Sequence, residues 1–241
     1  MLSNFLRKKA LPFEYHIRYS KRKTLGIYVS SGVVEVRAPV GAAHKWIDSF
    51  VREKADWIEA KLVQQQGKAQ EAFRLEDEAD ITVLGELYQI RVVQGRKNSV
   101  DCEPGFLTFT VRDGFSPLST VTLEPLFSRW LRNLATDYMV PKAVEFAEAL
   151  GVRQRLQNVR FRRTKTKWGH CSNRGVIQFN WLIMLAPAEV VEYLIVHEVC
   201  HLVHLNHSAA YWALVATLCP DYRQRRKWLR DNEHRYRIIG L

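Results

Sequence analysis

The chain has 241 residues, 47% hydrophobic and 25% charged, an ordinary globular composition with enough length for one large core or two smaller ones. Its 36 basic and 25 acidic side chains leave a formal charge of +11, which favours anionic partners such as nucleic acid, nucleotides, acidic peptides or membrane surfaces and says nothing about fold. The most apolar stretch, Trp181 to Val196, carries Pro187, Glu189 and Glu192, so no membrane span is expected, and Met1–Lys9 lacks the apolar run of a secretory signal.

Phe13–Tyr19, Thr24–Ser30 and Val33–Ala38 are rich in β-branched and aromatic residues and read as short strands, with a hairpin-like break at Ser31-Gly32. Pro39 and Gly41 end that segment. Trp46, Ile47, Phe50, Val51, Ala55, Ile58 and Leu62 then recur at helical spacing, which predicts one amphipathic helix over residues 43–66. Strand-like runs return at Ile81–Leu84, Tyr88–Val93, Val100–Glu103 and Leu107–Val111, followed by the punctuation of Asp113-Gly114 and Pro117.

A second helical pattern covers about Leu123 to Leu150, where Pro141 is expected to interrupt or kink it and Gly151 to stop it. Val159–Lys165 and Val176–Phe179 read as two strands around the loop Trp168–Gly175. A strong helix is predicted over about 187–204, with Pro187 just inside it. Ser208 suits the cap of a helix through Leu218, and Pro220-Asp221 precedes a last charged helix. The expected class is α+β: a strand-rich region over 1–115, then a helical domain with a hairpin over 116–241. The four cysteines (Cys102, Cys171, Cys200, Cys219) form no CxxC pair, so they read as reduced thiols of a cytoplasmic protein.

The chemistry concentrates in His197-Glu198-Val199-Cys200-His201. Residues four apart on a helix differ by about 40° in azimuth and about 6 Å along the axis, so both imidazoles can reach one ion. Neutral imidazole suits zinc, and Glu198, rotated off the pair, is placed to act as base toward a water at the metal. The flanking Val191, Tyr193, Leu194, Ile195 and Val196 predict a buried helix, where polar side chains need partners. A third ligand has two candidates. His204 would crowd the same helix, whereas His207 follows Asn206, where the chain can turn back, and is preferred. The expected cofactor is zinc, with copper, nickel or iron also compatible with three imidazoles. Cys200 reads as a small hydrophobe, and Tyr211 as core more readily than as an oxyanion donor.

The segment HEVCHLVHLNHSAAYW, preceded by WGHCSNRGVIQFNWLIMLAPAEVVEYLIV, resembles the YgjP-like family of metal-dependent hydrolases, a minimal zincin group. The resemblance is strong over about 157–235. It places the family's WGxCS element on Trp168, Gly169, Cys171 and Ser172, its strand asparagine on Asn180 and its third metal ligand on His207. Pro220, Asp221, Tyr222 and Trp228 match as well, and Val36–Pro39 with the Trp57 helix match more loosely. One departure is His170, where the family usually has serine, so that an added electrophile or fourth ligand enters consideration. The resemblance implies a metallopeptidase, or a nucleoside triphosphate pyrophosphohydrolase acting on UTP, with extended substrates laid along the strand before the active helix.

Two basic clusters remain: Arg160, Arg162, Arg163, Lys165 and Lys167, and Arg223, Arg225, Arg226, Lys227 and Arg230. The first leads into the Trp168 loop, so Arg162, Lys165, Trp168, His170 and Asn180 are the candidate substrate contacts, the cations suiting phosphate. A non-enzymatic nucleic-acid binder is a third reading, resting on charge alone without a recognition motif.

Overall fold

A computed structural model of the protein describes residues 11–30, 32–70, 75–112, 120–164 and 166–236. Met1–Lys9, Ser31, Asp113-Gly114, Pro117 and Lys165, all used in the sequence reading, lie outside the described residues. The architecture is α+β, and the chain divides into two compact units, 1–71 and 72–241.

In the first unit the strands β1 (His16–Ser20), β2 (Gly26–Ser30) and β3 (Val33–Pro39) form a sheet in the order β1-β3-β2, with β1 parallel and β2 antiparallel to β3. Val34, Val36 and Ala38 alternate inward along β3 and pack with Ile47, Val51 and Ile58 from the helices α1 (His44–Glu53) and α2 (Ala55–Gln70). The single helix expected over 43–66 is therefore two, broken at Lys54, whose φ of −101° and ψ of 11° leave the helical range.

The second unit opens with the strands β4 (Asp80–Val83), β5 (Glu86–Gly95), β6 (Ser99–Glu103) and β7 (Phe106–Arg112), ordered β4-β5-β7-β6. This sheet shares one core with the C-terminal helices. Its inward residues Ile90, Leu107, Phe109 and Val111 join Leu123, Phe127, Leu131 and Met139 of the long helix α3 (Thr120–Ala149). Helix α3 runs through both Pro125 and Pro141, where the sequence predicts an interruption or a kink at the second, and Pro141 does not interrupt it. The reason lies in where the prolines fall. Both are exposed, so each freed carbonyl can turn to water, while the buried stripe Leu131, Ala135, Met139, Ala143, Ala147 continues past Pro141 and holds the helix to the core.

A second small sheet, ordered β8-β10-β9, positions the site. It comprises β8 (Asn158–Phe161), β9 (Gly169–Cys171) and β10 (Val176–Phe179). The sequence predicted two strands here. The loop before β10 supplies the third, pairing antiparallel with β10 as a hairpin, while β8 runs parallel to β10. The hairpin turn contains Gly175 at φ +73°, where a Cβ would overlap the Arg155 carbonyl oxygen and stand 3.0 Å from its carbon. Gly175→Ala is expected to cost about 3 kcal/mol or more of stability, read by urea denaturation. An unchanged midpoint would show that the turn relaxes freely.

Helix α4 (Ala188–Cys200) packs against β9, and α5 (Ala209–Leu218) and α6 (Tyr222–Asn232) pack against α4. Helix α4 is apolar nearly all round and buried, with Val191, Ile195 and Val199 fully enclosed. The Ser208 hydroxyl accepts the Tyr211 N–H and caps α5, as the sequence predicted. All four cysteines are free, and no helix among the described residues is long and apolar enough to cross a membrane.

Candidate metal centre

Helix α4 carries His197 in its last turn and ends at Cys200, with His201 as its C-cap still in helical geometry. The chain turns over 201–206 and returns with His207 just before the Ser208 cap of α5. This return brings the three rings together, and one ligand nitrogen from each lies within 4.8 Å of the others. His197 Nε2 and His207 Nε2 are 3.3 Å apart. Two nitrogens each about 2.0–2.1 Å from one tetrahedral ion stand about 3.4 Å apart, so this pair has the separation a shared ion requires.

The surroundings favour the neutral form of His197 and His201. Burial lowers His197 to about 3, assisted by His201, His207 and Arg226. Burial also lowers His201, against the hydrogen bond to the His204 carbonyl, with His207 and His170 adding to the depression. That bond, His201 Nδ1 to the His204 oxygen at 2.9 Å, selects the Nδ1–H tautomer and leaves the Nε2 lone pair free. His204 therefore serves through its backbone, and its ring is not one of the three donors. The Tyr211 hydroxyl donates to the His197 carbonyl at 2.9 Å and its ring stacks on His201 at 4.6 Å, so Tyr211 is a fully buried packing residue and not an oxyanion donor. Trp212 stacks on His207 at 5.5 Å and carries the Arg226 guanidinium 4.8 Å from its ring centre.

Glu198 is 4% exposed, beneath β9. Burial raises its carboxyl to about 8, opposed by the Lys167 charge and a backbone hydrogen bond from Cys171, and its Oε2 is buried with no hydrogen-bond partner. Gly169 makes this placement possible. A Cβ there would stand 2.6 Å from Glu198 Cγ and 2.7 Å from Cδ, so the carboxylate occupies the space any other residue would fill. Sequence reading named Gly169 in a motif and missed this role, because nothing local links positions 169 and 198.

The remaining candidates scatter around the outer face of β9. Trp168, His170 and Asn180 line a cavity of about 230 Å³ with Thr164, Thr166, Lys167 and Gln178. His170 pairs across the strand with Gln178 and is not one of the converging donors. Asn180 is 4% exposed, and its side chain is spent on structure: Nδ2 donates to the Thr164 carbonyl at 3.1 Å and Oδ1 accepts the Leu182 N–H at 3.1 Å. Arg162 is exposed and does not line the cavity, its backbone N–H bonding the Phe179 carbonyl. Lys167, which sequence reading placed only in a charge cluster, is the cation whose field reaches Glu198.

Three convergent imidazoles and the buried carboxylate of the intervening Glu198 suit the donor set of a metal-dependent hydrolase, borne on an α+β scaffold. The chain belongs to the YgjP-like family: the family's metallopeptidase domain matches residues 23–232, most of the sequence, and with that membership come hydrolase chemistry and a divalent metal. No curated protein matches the chain.

Proposed function

We propose that the protein is a zinc-dependent hydrolase of the metallopeptidase type, with His197, His201 and His207 as metal ligands and Glu198 as general base. The observation that carries this reading is the meeting of three ligand nitrogens within 4.8 Å next to a carboxylate whose Oε2 is buried and unpartnered. Three nitrogen ligands suit zinc and leave room for a water and the substrate. When bound, such an ion acts as a Lewis acid and lowers the pKa of a water it holds to about 7.

The chain's own groups do the rest. The His204 carbonyl fixes the His201 ring and its tautomer, so that its Nε2 lone pair would be free to hold the metal. Glu198 takes the proton of the attacking water at a carboxylate oxygen and passes it to the leaving amine. That task needs the ionised carboxylate, the form a neighbouring metal charge would favour against the effect of burial. Strand β9 has only β10 as a neighbour among the described residues, so its outer edge can hydrogen-bond an extended peptide beside Gly169. A reducing, cytoplasmic location belongs to this reading and is supported by the four free thiols.

A second reading, hydrolysis of a nucleoside triphosphate such as UTP, draws support from Lys167, a cation between the cavity outside β9 and the carboxylate. Incubating the zinc-loaded protein with a peptide mixture and, separately, with nucleoside triphosphates, followed by mass analysis, decides between them. Peptide cleavage is expected; pyrophosphate release without it would replace the first reading with the second.

Metal removal gives an independent check. With free zinc at a thousandfold its Kd, the loaded protein is expected to be about 4 kcal/mol more stable than chelator-treated protein. Identical denaturation midpoints with and without chelator would sink the assignment of the triad.

A further inference from the structure

The chain after α6 forms a 3₁₀ turn, Glu233–Tyr236, beyond the residues matched by the family. This turn grips Trp168. Glu233 Oε2 accepts the Trp168 indole N–H at 3.2 Å, and the Tyr236 ring meets the indole edge-on at 6.2 Å. Tyr236 is itself buried, stacked 6.1 Å from Trp228 of α6. Trp168 is the residue before Gly169, the residue whose missing Cβ leaves room for the Glu198 carboxylate.

Strand β9 needs such a grip. It is three residues long and lies at the sheet edge, and short edge strands with one partner open readily. Its backbone is tied on the inner side, where the Trp168 carbonyl accepts the Asn180 N–H at 2.8 Å. Just upstream, the Thr164 hydroxyl donates to the Lys167 carbonyl. The Trp168 indole is the other anchor, and Glu233 and Tyr236 hold it.

We propose that Glu233–Tyr236 is a positioning clasp for Glu198, acting through Trp168 and the Gly169 backbone. Glu233 and Tyr236 meet the Trp168 indole and are not among the three converging donors, so the clasp governs how well the base is aimed and not whether metal binds. The role for Glu198 rests on the function proposed above; the mechanical link from the turn to β9 does not.

The test pairs two double variants of the full chain. Glu233→Ala with Tyr236→Ala removes the acceptor and the ring; Glu233→Gln with Tyr236→Phe keeps an oxygen acceptor and the ring. Hydrogen exchange of the zinc-loaded proteins should be about tenfold or more faster at amides 169–171 in the alanine pair and unchanged in the conservative pair. Amides of α4 and zinc affinity, read by chelator competition, should stay within twofold of wild type in both. On a mixed-sequence fluorogenic peptide library, the alanine pair should lose about tenfold in kcat at constant KM, with the conservative pair restoring it. Wild-type exchange at 169–171 in the alanine pair would overturn the clasp, as would acceleration spread evenly over α4 and α5, which would mean general loosening. If the wild-type protein cleaves no peptide in the library, the peptidase reading fails while the exchange comparison still decides the clasp.

Discussion

Glu198→Gln is expected to lower turnover by about 10²- to 10⁴-fold while leaving bound zinc unchanged. Glutamine has nearly the shape of glutamate and fills the same buried site, but it cannot accept a proton at neutral pH. The three imidazole nitrogens come from other residues, so the metal should be held as before. The substitution also makes a stability prediction that catalysis does not. Burial raises the Glu198 carboxyl to about 8 in the metal-free fold, so the folded chain binds a proton that the unfolded chain has already released. Wild-type, metal-stripped protein should therefore lose stability as pH rises from the ordinary carboxylate range to about 8, and the glutamine variant should not lose that share. Denaturation of both stripped proteins at pH 5 and pH 8 measures it. A variant that keeps wild-type kcat on the substrate found by mass analysis would remove Glu198 from the mechanism.

Gly169→Ala is expected to cost about 10²-fold in kcat although residue 169 carries no functional group. The added methyl would stand 2.6 Å from Glu198 Cγ, closer than real carbon contacts allow. A surface glutamate would swing aside. Glu198, 4% exposed and hydrogen-bonded by the Cys171 backbone, can give way only by leaving its place or by lifting β9. Either movement misdirects the base. Zinc content should remain that of wild type. Because both substitutions act through one carboxylate, Gly169→Ala added to Glu198→Gln should lower kcat little further than Glu198→Gln alone, a non-additivity expected of coupled residues. Fully additive losses would show that Gly169 acts by some other route.

The features legible in the chain alone are those that short-range physics encodes. The four-residue spacing of His197 and His201 puts two imidazoles on adjacent turns in any helix, and the apolar residues around them make that helix a buried one. The Ser208 cap and the strands β3 to β7 were legible for the same reason, since each rests on residue types and contacts within a few positions. The preference for His207 over His204 rested on a local reversal of the chain, which here falls over 201–206.

Tertiary structure decided the rest. Whether Pro141 breaks α3 depended on its facing solvent while the stripe beyond it found a core. The strand β9 arose from a loop because β10 offered it an edge. Grouping of residues 80–112 with the C-terminal helices followed from Phe109 meeting Phe127, a contact invisible to periodicity. The surroundings of the site lie furthest from local rules: Gly169 against Glu198, and Trp168 against Glu233, 65 positions away. Residue type and spacing set which groups could react. Only packing between distant segments, through steric exclusion and burial, decided where the carboxylate stands and what holds it there.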